Sequence, residues 1–417
     1  MAFAVSMRPE QAPAARAGAV LLGGAHGTLA LARNLGRNGF PVVLVTDDHP
    51  LPKFSRYVQR RFDWPGANAA GSAQWLVELA EREHLHDWLL IPCGDGEVRL
   101  IAGNLKLLRS AFRVESCDWE HLRRLCDKQL LADSAEAAGV PTPRAWCLRS
   151  ETDAASLDIV FPVVLKPAMR TSRNQFTQAK AWRADTRDEL AHHYREAARL
   201  VGHGNVVVQE LIPGGGEAQL SYAALWHRGK PVAEITARRT RQYPIEFGYT
   251  STFVEVVAND RVRAAATALL SAVAFEGLVE VEFKFDARDQ QLKVLDVNPR
   301  GWSWLALCEP AGVDLALAMS NLAAGQSVTR VAVRPGHAWI HASRDLVAAG
   351  CQMLRGQISF ADYVRSLRQR LTFAAFAWDD PLPGIIELPL TAYRVAARSI
   401  GALWRRGEAA KAPSTTA

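Results

Sequence analysis

At 417 residues, with 49% hydrophobic and 22% charged residues, the chain is long enough for two or three cores and too apolar to be disordered. Its formal charge of +6 is spread over 49 basic and 43 acidic residues, which suits a small polyanionic ligand and is too diffuse for nucleic acid to be the expected partner. Six scattered cysteines with no Cys-x-x-Cys pair argue against a disulfide framework and a zinc knuckle.

Residues 1–17, rich in Ala, Pro and Arg, read as a loose arm without the charged-then-apolar order of a signal peptide, and a cytoplasmic protein is expected. Order begins at Gly18. Ala19-Val20-Leu21-Leu22 is a short apolar run that ends in Gly23-Gly24-Ala25-His26-Gly27, followed by a helical pattern over 28–38 and a second apolar run over 41–45. Strand, glycine turn, helix and strand begin a doubly wound α/β domain. A helix over 73–84 and strands over 88–91 and 112–115 continue the alternation. Val140-Pro141-Thr142-Pro143 marks a break.

From Phe161 the texture changes. Strands are expected over 163–166, 206–211, 218–226 and 231–236, joined mostly by turns, then a helix over 264–275 and strands over 278–285 and 291–297. Such runs predict an antiparallel sheet in an α+β unit. The apolar stretch 264–275 is too short to cross a bilayer. Beyond about Val331 the chain reads as mainly helical. An amphipathic pattern over 386–406 docks on the protein itself or, as the lesser reading, touches a membrane surface; residues 407–417 read as a frayed end.

The chemistry concentrates between Val279 and Arg300. In Val279-Glu280-Val281-Glu282-Phe283-Lys284-Phe285-Asp286 apolar and charged residues alternate, so one face is buried and the other charged. Ala287-Arg288-Asp289-Gln290 turns the chain back, and the returning strand carries Asp296 and Asn298 on one face, with Glu282 within about one residue of Asp296 in simple antiparallel register. Two carboxylates and an amide oxygen at a strand end suit magnesium, although a solvated hairpin edge has the same composition.

Leu295-Asp296-Val297-Asn298-Pro299-Arg300 resembles the Glu-x-Asn-Pro-Arg ending of the ATP-grasp superfamily, and Glu282 resembles the preceding metal carboxylate. Phe161-Pro162-Val163-Val164-Leu165-Lys166-Pro167 resembles the strand with the phosphate-binding lysine. Asp127-Lys128-Gln129 with Gly139-Val140-Pro141 is similar to the entry into the ATP-binding lobe. Val208-Gln209-Glu210-Leu211-Ile212-Pro213-Gly214 resembles the adenine- and ribose-binding segment, with Glu217 as a second ribose-side acid. Arg238-Arg239-Thr240-Arg241-Gln242-Tyr243-Pro244 is similar to a segment of the carboxylate–amine ligase branch that includes D-aspartate-ligase-like proteins; the ATP-binding lobe is similar to that of the carbamoyl-phosphate synthase large chain.

The resemblance implies an α/β and α+β chain. It has an arm (1–17), a Rossmann-like domain (18–118), an ATP-grasp domain of two α+β lobes (119–330, divided into 119–205 and 206–330) and a mainly helical C-terminal extension (331–417). It implies Lys128, Lys166, Glu210, Leu211, Ile212 and Glu217 at ATP, Glu282, Asp296 and Asn298 at Mg2+ (with Mn2+ as an alternative ion), and Arg300, Lys166 and Arg241 as catalytic residues. The implied activity joins a small-molecule carboxylate to an amine through an acyl-phosphate, with a homodimer as an open option. Two departures stand out. Asp296 replaces a glutamate, and the loop after Lys166, with Arg170, Ser172 and Arg173, is poor in glycine. A non-catalytic ATP-binding regulator, a kinase, and an NAD-binding Rossmann oxidoreductase remain as alternatives. The last rests on Gly24, Gly27 and Asp47 or Asp48, with Leu22 where the first fingerprint glycine belongs.

Overall fold

The computed structural model describes residues 17–47, 49–169, 174–245, 250–329 and 331–393. Asp48, the arm up to residue 16, Arg170, Ser172 and Arg173 of the glycine-poor loop, and the chain beyond residue 393 lie outside the described residues.

Strands β1 (Ala19–Leu22), β2 (Val42–Val45), β3 (Val58–Phe62), β4 (Trp88–Pro92) and β5 (Phe112–Arg113) form a parallel sheet in the order β3-β2-β1-β4-β5. β1 and β2 are wholly buried, as continuous apolar runs in a parallel sheet must be. The turn after β1 needs left-handed backbone at Gly23 and Gly24 (φ +67° and +76°), and Thr28 Oγ1 donates to the Gly23 carbonyl at 2.6 Å. A side chain on Gly23 or Gly94 would strike the Glu97 carboxylate, and one on Gly27 would lie 2.6 Å from the Trp302 carbonyl oxygen. The chain itself thus packs closely against this turn.

A second, antiparallel sheet holds β6 (Ala145–Cys147), β7 (Val163–Pro167), β8 (Trp182–Ala184) and β9 (Val206–Glu210) in the order β6-β9-β7-β8. Helix Arg187–Val201 buries Leu190, Tyr194 and Ala197 against it. The third sheet contains β10 (Gln219–His227), β11 (Lys230–Tyr243), β12 (Thr250–Val256), β13 (Gly277–Asp286), β14 (Gln291–Asn298), β15 (His337–Ile340) and β16 (Arg370–Phe373). Its order is β14-β13-β10-β11-β12-β15-β16. Helix Asp260–Ala272 packs Val262, Ala266, Leu269 and Leu270 on its inner face.

The structure revises two expectations. The division of the lobes at 205/206 does not hold, because β9 completes the smaller sheet while Leu122, Leu125, Leu131 and Ala135 pack into the core of the larger one. The segment after 331 is mostly helical among the described residues, but it also carries two strands that were not expected. β15 and β16 extend the third sheet, because the edge of β12 offers unpaired backbone groups to the buried four-residue run His337-Ala338-Trp339-Ile340. One apolar core joins the first and third sheets, with Leu21, Leu31 and Ile91 packed beside Leu225, Trp302, Trp304 and Trp339. No described helix is long and apolar enough to cross a membrane.

Candidate active site

The second and third sheets face one another across a cavity of about 950 Å³, within the size range of pockets for nucleotide-sized ligands. Its polar lining includes Lys128, Lys166, Glu210, Glu217, Glu282 and Asp296; Pro162, Val164, Ile212 and Leu295 supply apolar wall.

The third sheet presents the acids. Glu282 pairs directly with Asp296 and Glu280 with Asn298, and the register then shifts between Glu282 and Phe283, an irregularity of the kind that re-aims side chains beside functional sites. Asn298 Nδ2 donates to Glu282 Oε1 at 3.1 Å and to Glu280 Oε2 at 3.3 Å. Glu280 Oε1 accepts from Trp304 Nε1 at 2.7 Å and Ser221 Oγ at 3.1 Å. Burial and the neighbouring Glu282 raise the Glu280 carboxyl. Burial alone would raise Glu282 too, but Arg239, Lys180 and the Asn298 amide hold it well below the usual carboxylate range.

Cations converge on these acids from several elements. Arg239 on β11 forms an ion pair with Glu282, Lys180 Nζ lies 3.4 Å from Glu282 Oε2, and Lys128 Nζ lies 3.4 Å from Asp296 Oδ1. Lys128 opens helix Lys128–Ala137, whose first turn is capped by Asp127. On β7, Lys166 Nζ donates to Gln209 Oε1 at 2.8 Å. Its pKa falls to about 7, because burial disfavours the ammonium and Lys128 repels it. Arg300, just past β14, is held by Asp95 of the first domain and by Asn298 Oδ1 at 3.1 Å.

At the other end of the cavity Glu210 accepts from the Arg144 N–H and from Lys293 Nζ, each at 3.0 Å, and from Arg288 Nη2 at 3.0 Å. A carboxylate offers roughly four acceptor positions, so room for about one more donor remains. Glu217 Oε1 accepts the Gly215 N–H at 2.8 Å, and the Ile212 carbonyl takes Lys284 Nζ at 2.8 Å. Leu211 and Ile212 line the wall between them.

Arg241 lines the cavity as well, but its guanidinium is engaged away from the acids. Its guanidinium is 3% exposed, makes two bonds of 2.9 Å to the Asp345 carboxylate and stacks over Phe253 at 4.1 Å. With its charge consumed by Asp345, it is an anchor for the C-terminal extension. Arg239, two residues earlier, reaches the acids instead.

Lys180, Asp95, Glu280 and Gln209 were missed from sequence. Glu280 had a signal, since it shares the face of Glu282 two residues on; Gln209 lies in the segment matched to adenine and ribose and Asp95 in a glycine-flanked turn after β4, whereas Lys180 comes from a segment with no distinguishing pattern. Gln352, Gln357 and Ile358 of the extension also line the cavity, which no local feature announced. A side pocket of about 60 Å³ opens between Asp95, Arg99, Lys128, Asp296 and Asn298.

Residues 236–331 match the family model described as the carbamoyl-phosphate synthase L chain, ATP binding domain. A D-aspartate ligase of Enterococcus faecium is 25% identical over 232 residues, 51% of this chain and 53% of that protein. A carbamoyl-phosphate synthase of Methanobrevibacter smithii is 24% identical over 213 residues, 49% and 54% of the two chains. The chain thus spans about half the length of these curated relatives. Among solved structures, the MgADP- and bicarbonate-bound biotin carboxylase domain of Hydrogenobacter thermophilus 2-oxoglutarate carboxylase superposes with a TM-score of 0.59 at 16% identity, covering 77% of this chain and 73% of that one. The L-amino acid ligase of Bacillus licheniformis gives 0.58 at 15% identity, covering 78% and 79%. These similarities establish the fold.

Proposed function

Taking as premise that the chain belongs to the ATP-grasp superfamily, we propose that it is an ATP- and magnesium-dependent ligase that joins a small carboxylate to an amine. The observation that carries this reading is the convergence of Glu282 and Asp296 with Lys128 and Lys166 on one cavity, with Asn298 bonded to Glu282 at the adjoining side pocket and Arg300 bonded in turn to Asn298. Similarity to a D-aspartate ligase and an L-amino acid ligase supports an amino acid or short peptide among the substrates.

Glu282 and Asp296 offer carboxylate oxygens, which fit a hard divalent cation, and Asn298 would complete an all-oxygen set with its Oδ1, now bonded to Arg300, turned toward them; magnesium held there would supply charge neutralisation for phosphate oxygens. Lys128 and Lys166 hold the phosphates. The ribose takes the acceptor position left on Glu210 and lies beside Glu217, and adenine packs along Leu211 and Ile212. The side pocket by Asp95 and Arg99 receives the substrate carboxylate. Its oxygen attacks the γ-phosphorus, the bond to the bridging oxygen breaks, and ADP leaves an acyl-phosphate. The amine nitrogen then attacks the acyl carbon, the C–O bond to phosphate breaks, and inorganic phosphate departs as nitrogen loses its proton. Arg300, oriented by Asp95 and Asn298, stabilises the charge on the transferring group. Positioning and electrostatics do the catalysis, and no side-chain nucleophile is needed.

ADP release from Mg-ATP, measured against a panel of paired amino acids and small carboxylates, tests the proposal. Release that requires both an acid and an amine and yields an amide supports it. A stable phosphorylated acid without amide points to a kinase, and ATP binding without any turnover points to a regulator.

Lys166 adds a pH dependence. Its ammonium is present below about pH 7 and is lost above, so nucleotide affinity is expected to fall as pH rises. Loss of one charge-assisted hydrogen bond weakens ATP binding by roughly tenfold between about pH 6 and about pH 8.5. Lys166→Arg keeps its charge throughout this range and flattens the profile. Calorimetric titration at each pH gives the comparison, and a native affinity that is level across the range contradicts the role of Lys166.

A further inference from the structure

Away from the cavity, two buried histidines and a partly buried glutamate from distant parts of the chain meet at one point. His26 opens helix His26–Arg37, His341 directly follows β15, and Glu387 lies in the helical segment 382–393. His26 and His341 are 7% and 2% exposed. Glu387 Oε1 is 2.6 Å from His26 Nε2 and 3.2 Å from His341 Nε2, and the two rings stand 4.9 Å apart at 62°.

A simple hydrogen-bonded cluster accounts for only half of this geometry. His26 Nε2 is satisfied by the carboxylate, but His341 Nε2 is buried and makes no hydrogen bond although it faces the same oxygen. Ser343 Oγ lies 3.4 Å from His341 Nδ1. If Nδ1–H donates to Ser343, the Nε2 lone pair points at a carboxylate oxygen, and those two electron-rich atoms repel unless a cation stands between them.

We propose that His26, His341 and Glu387 form a binding site for a divalent transition-metal ion of the zinc class. The three ligating atoms lie within 4.8 Å of one another. Ligands around tetrahedral zinc, with bonds of about 2.0–2.2 Å, stand roughly 3.3 Å apart, so the His341–Glu387 pair is already at that spacing and the His26–Glu387 pair opens by less than about 1 Å. Two imidazoles and one carboxylate select zinc over magnesium, which prefers all-oxygen sets. The positive charge of Arg344 acts on both His341 and Glu387 and weakens the site for a purely electrostatic ligand; metal–imidazole bonding resists that penalty better.

Such an ion ties the first domain to the C-terminal extension. Gly27, next to His26, lies against the Trp302 carbonyl, two residues beyond Arg300, so the bound ion braces the strand end that presents Arg300. This site is separate from the magnesium ligands proposed above and stands or falls independently of the ligase reading.

The test uses the full, untagged chain, stripped with a chelator and titrated with zinc alone. One zinc per chain is expected, with a rise in melting temperature on loading. Cobalt, substituted for zinc, should show the intense visible bands of a tetrahedral ion. His341→Asn and Glu387→Gln should each weaken zinc binding by about 100-fold or more while leaving Mg-ATP binding unchanged. Should either variant fail to fold, His26→Asn and the cobalt spectrum of the native chain decide. His192, His193 and Glu196 form a second cluster near the surface. Zinc binding that is lost in His192→Ala/His193→Ala and kept in the buried-site variants overturns the proposal, as does a native chain that retains no zinc.

Discussion

Replacing Glu282 by Gln is expected to reduce ATP turnover by roughly 10³-fold, the scale of losing one preorganised electrostatic element of a phosphoryl-transfer site. The amide keeps the shape of the side chain and removes its charge. Glu282 is the acid that Arg239, Lys180 and Asn298 together hold ionised in a buried setting, so its negative charge is built into the site. Removing it weakens the proposed magnesium set and leaves Arg239 facing Glu280 and Asp296 alone. The measurement is the rate of ADP release at saturating ATP over a range of magnesium concentrations, with circular dichroism to confirm folding. Glu280→Gln is the informative comparison. Glu280 is held by Trp304 and Ser221, which makes it a support for Asn298, and its loss should cost less. A Glu282→Gln enzyme within tenfold of the native rate contradicts the assignment of the acids.

Arg241→Leu is expected to lower stability by about 3–5 kcal/mol, because it strands the wholly buried Asp345 carboxylate without its partner. Asp345 keeps only Thr252 Oγ1, at 2.8 Å, while Ser366 loses its guanidinium donor. Combining Arg241→Leu with Asp345→Leu removes both charges and should recover a large part of the loss, since a buried pair exchanged for apolar side chains is often close to neutral. Denaturant unfolding provides the stability comparison. Turnover per folded molecule at low temperature separates an anchor from a catalytic group. A fully stable Arg241→Leu protein with abolished turnover would return Arg241 to the catalytic set.

The two substitutions show where sequence reasoning reached and where it stopped. β13 and β14 were legible because their information is local: strict alternation, a four-residue turn and Asp-x-Asn-Pro-Arg bring Glu282 opposite Asp296 with no help from the remainder of the chain. The apolar runs of β1 and β2 were legible for the same reason. Alternation also places Arg239 and Arg241 on one face of β11 and cannot tell them apart. An irregular pairing with β12 between Arg238 and Arg241, and an aspartate arriving from 104 residues downstream, divide their roles.

By itself, then, the sequence determined the elements with a hydrophobic period, the hairpin that carries the acids and the lysines expected at the nucleotide, since each depends on neighbours within a few residues. Tertiary structure alone decided which arginine meets those acids, that Asp95 orients Arg300, that β9 belongs with the smaller sheet, and that the C-terminal segment extends the larger sheet and lines the cavity. The physical reason is common to all four. Strand pairing and buried charge pairing are settled by whichever partner the folded chain delivers to an open edge or an uncompensated ion, and that partner comes from far along the sequence.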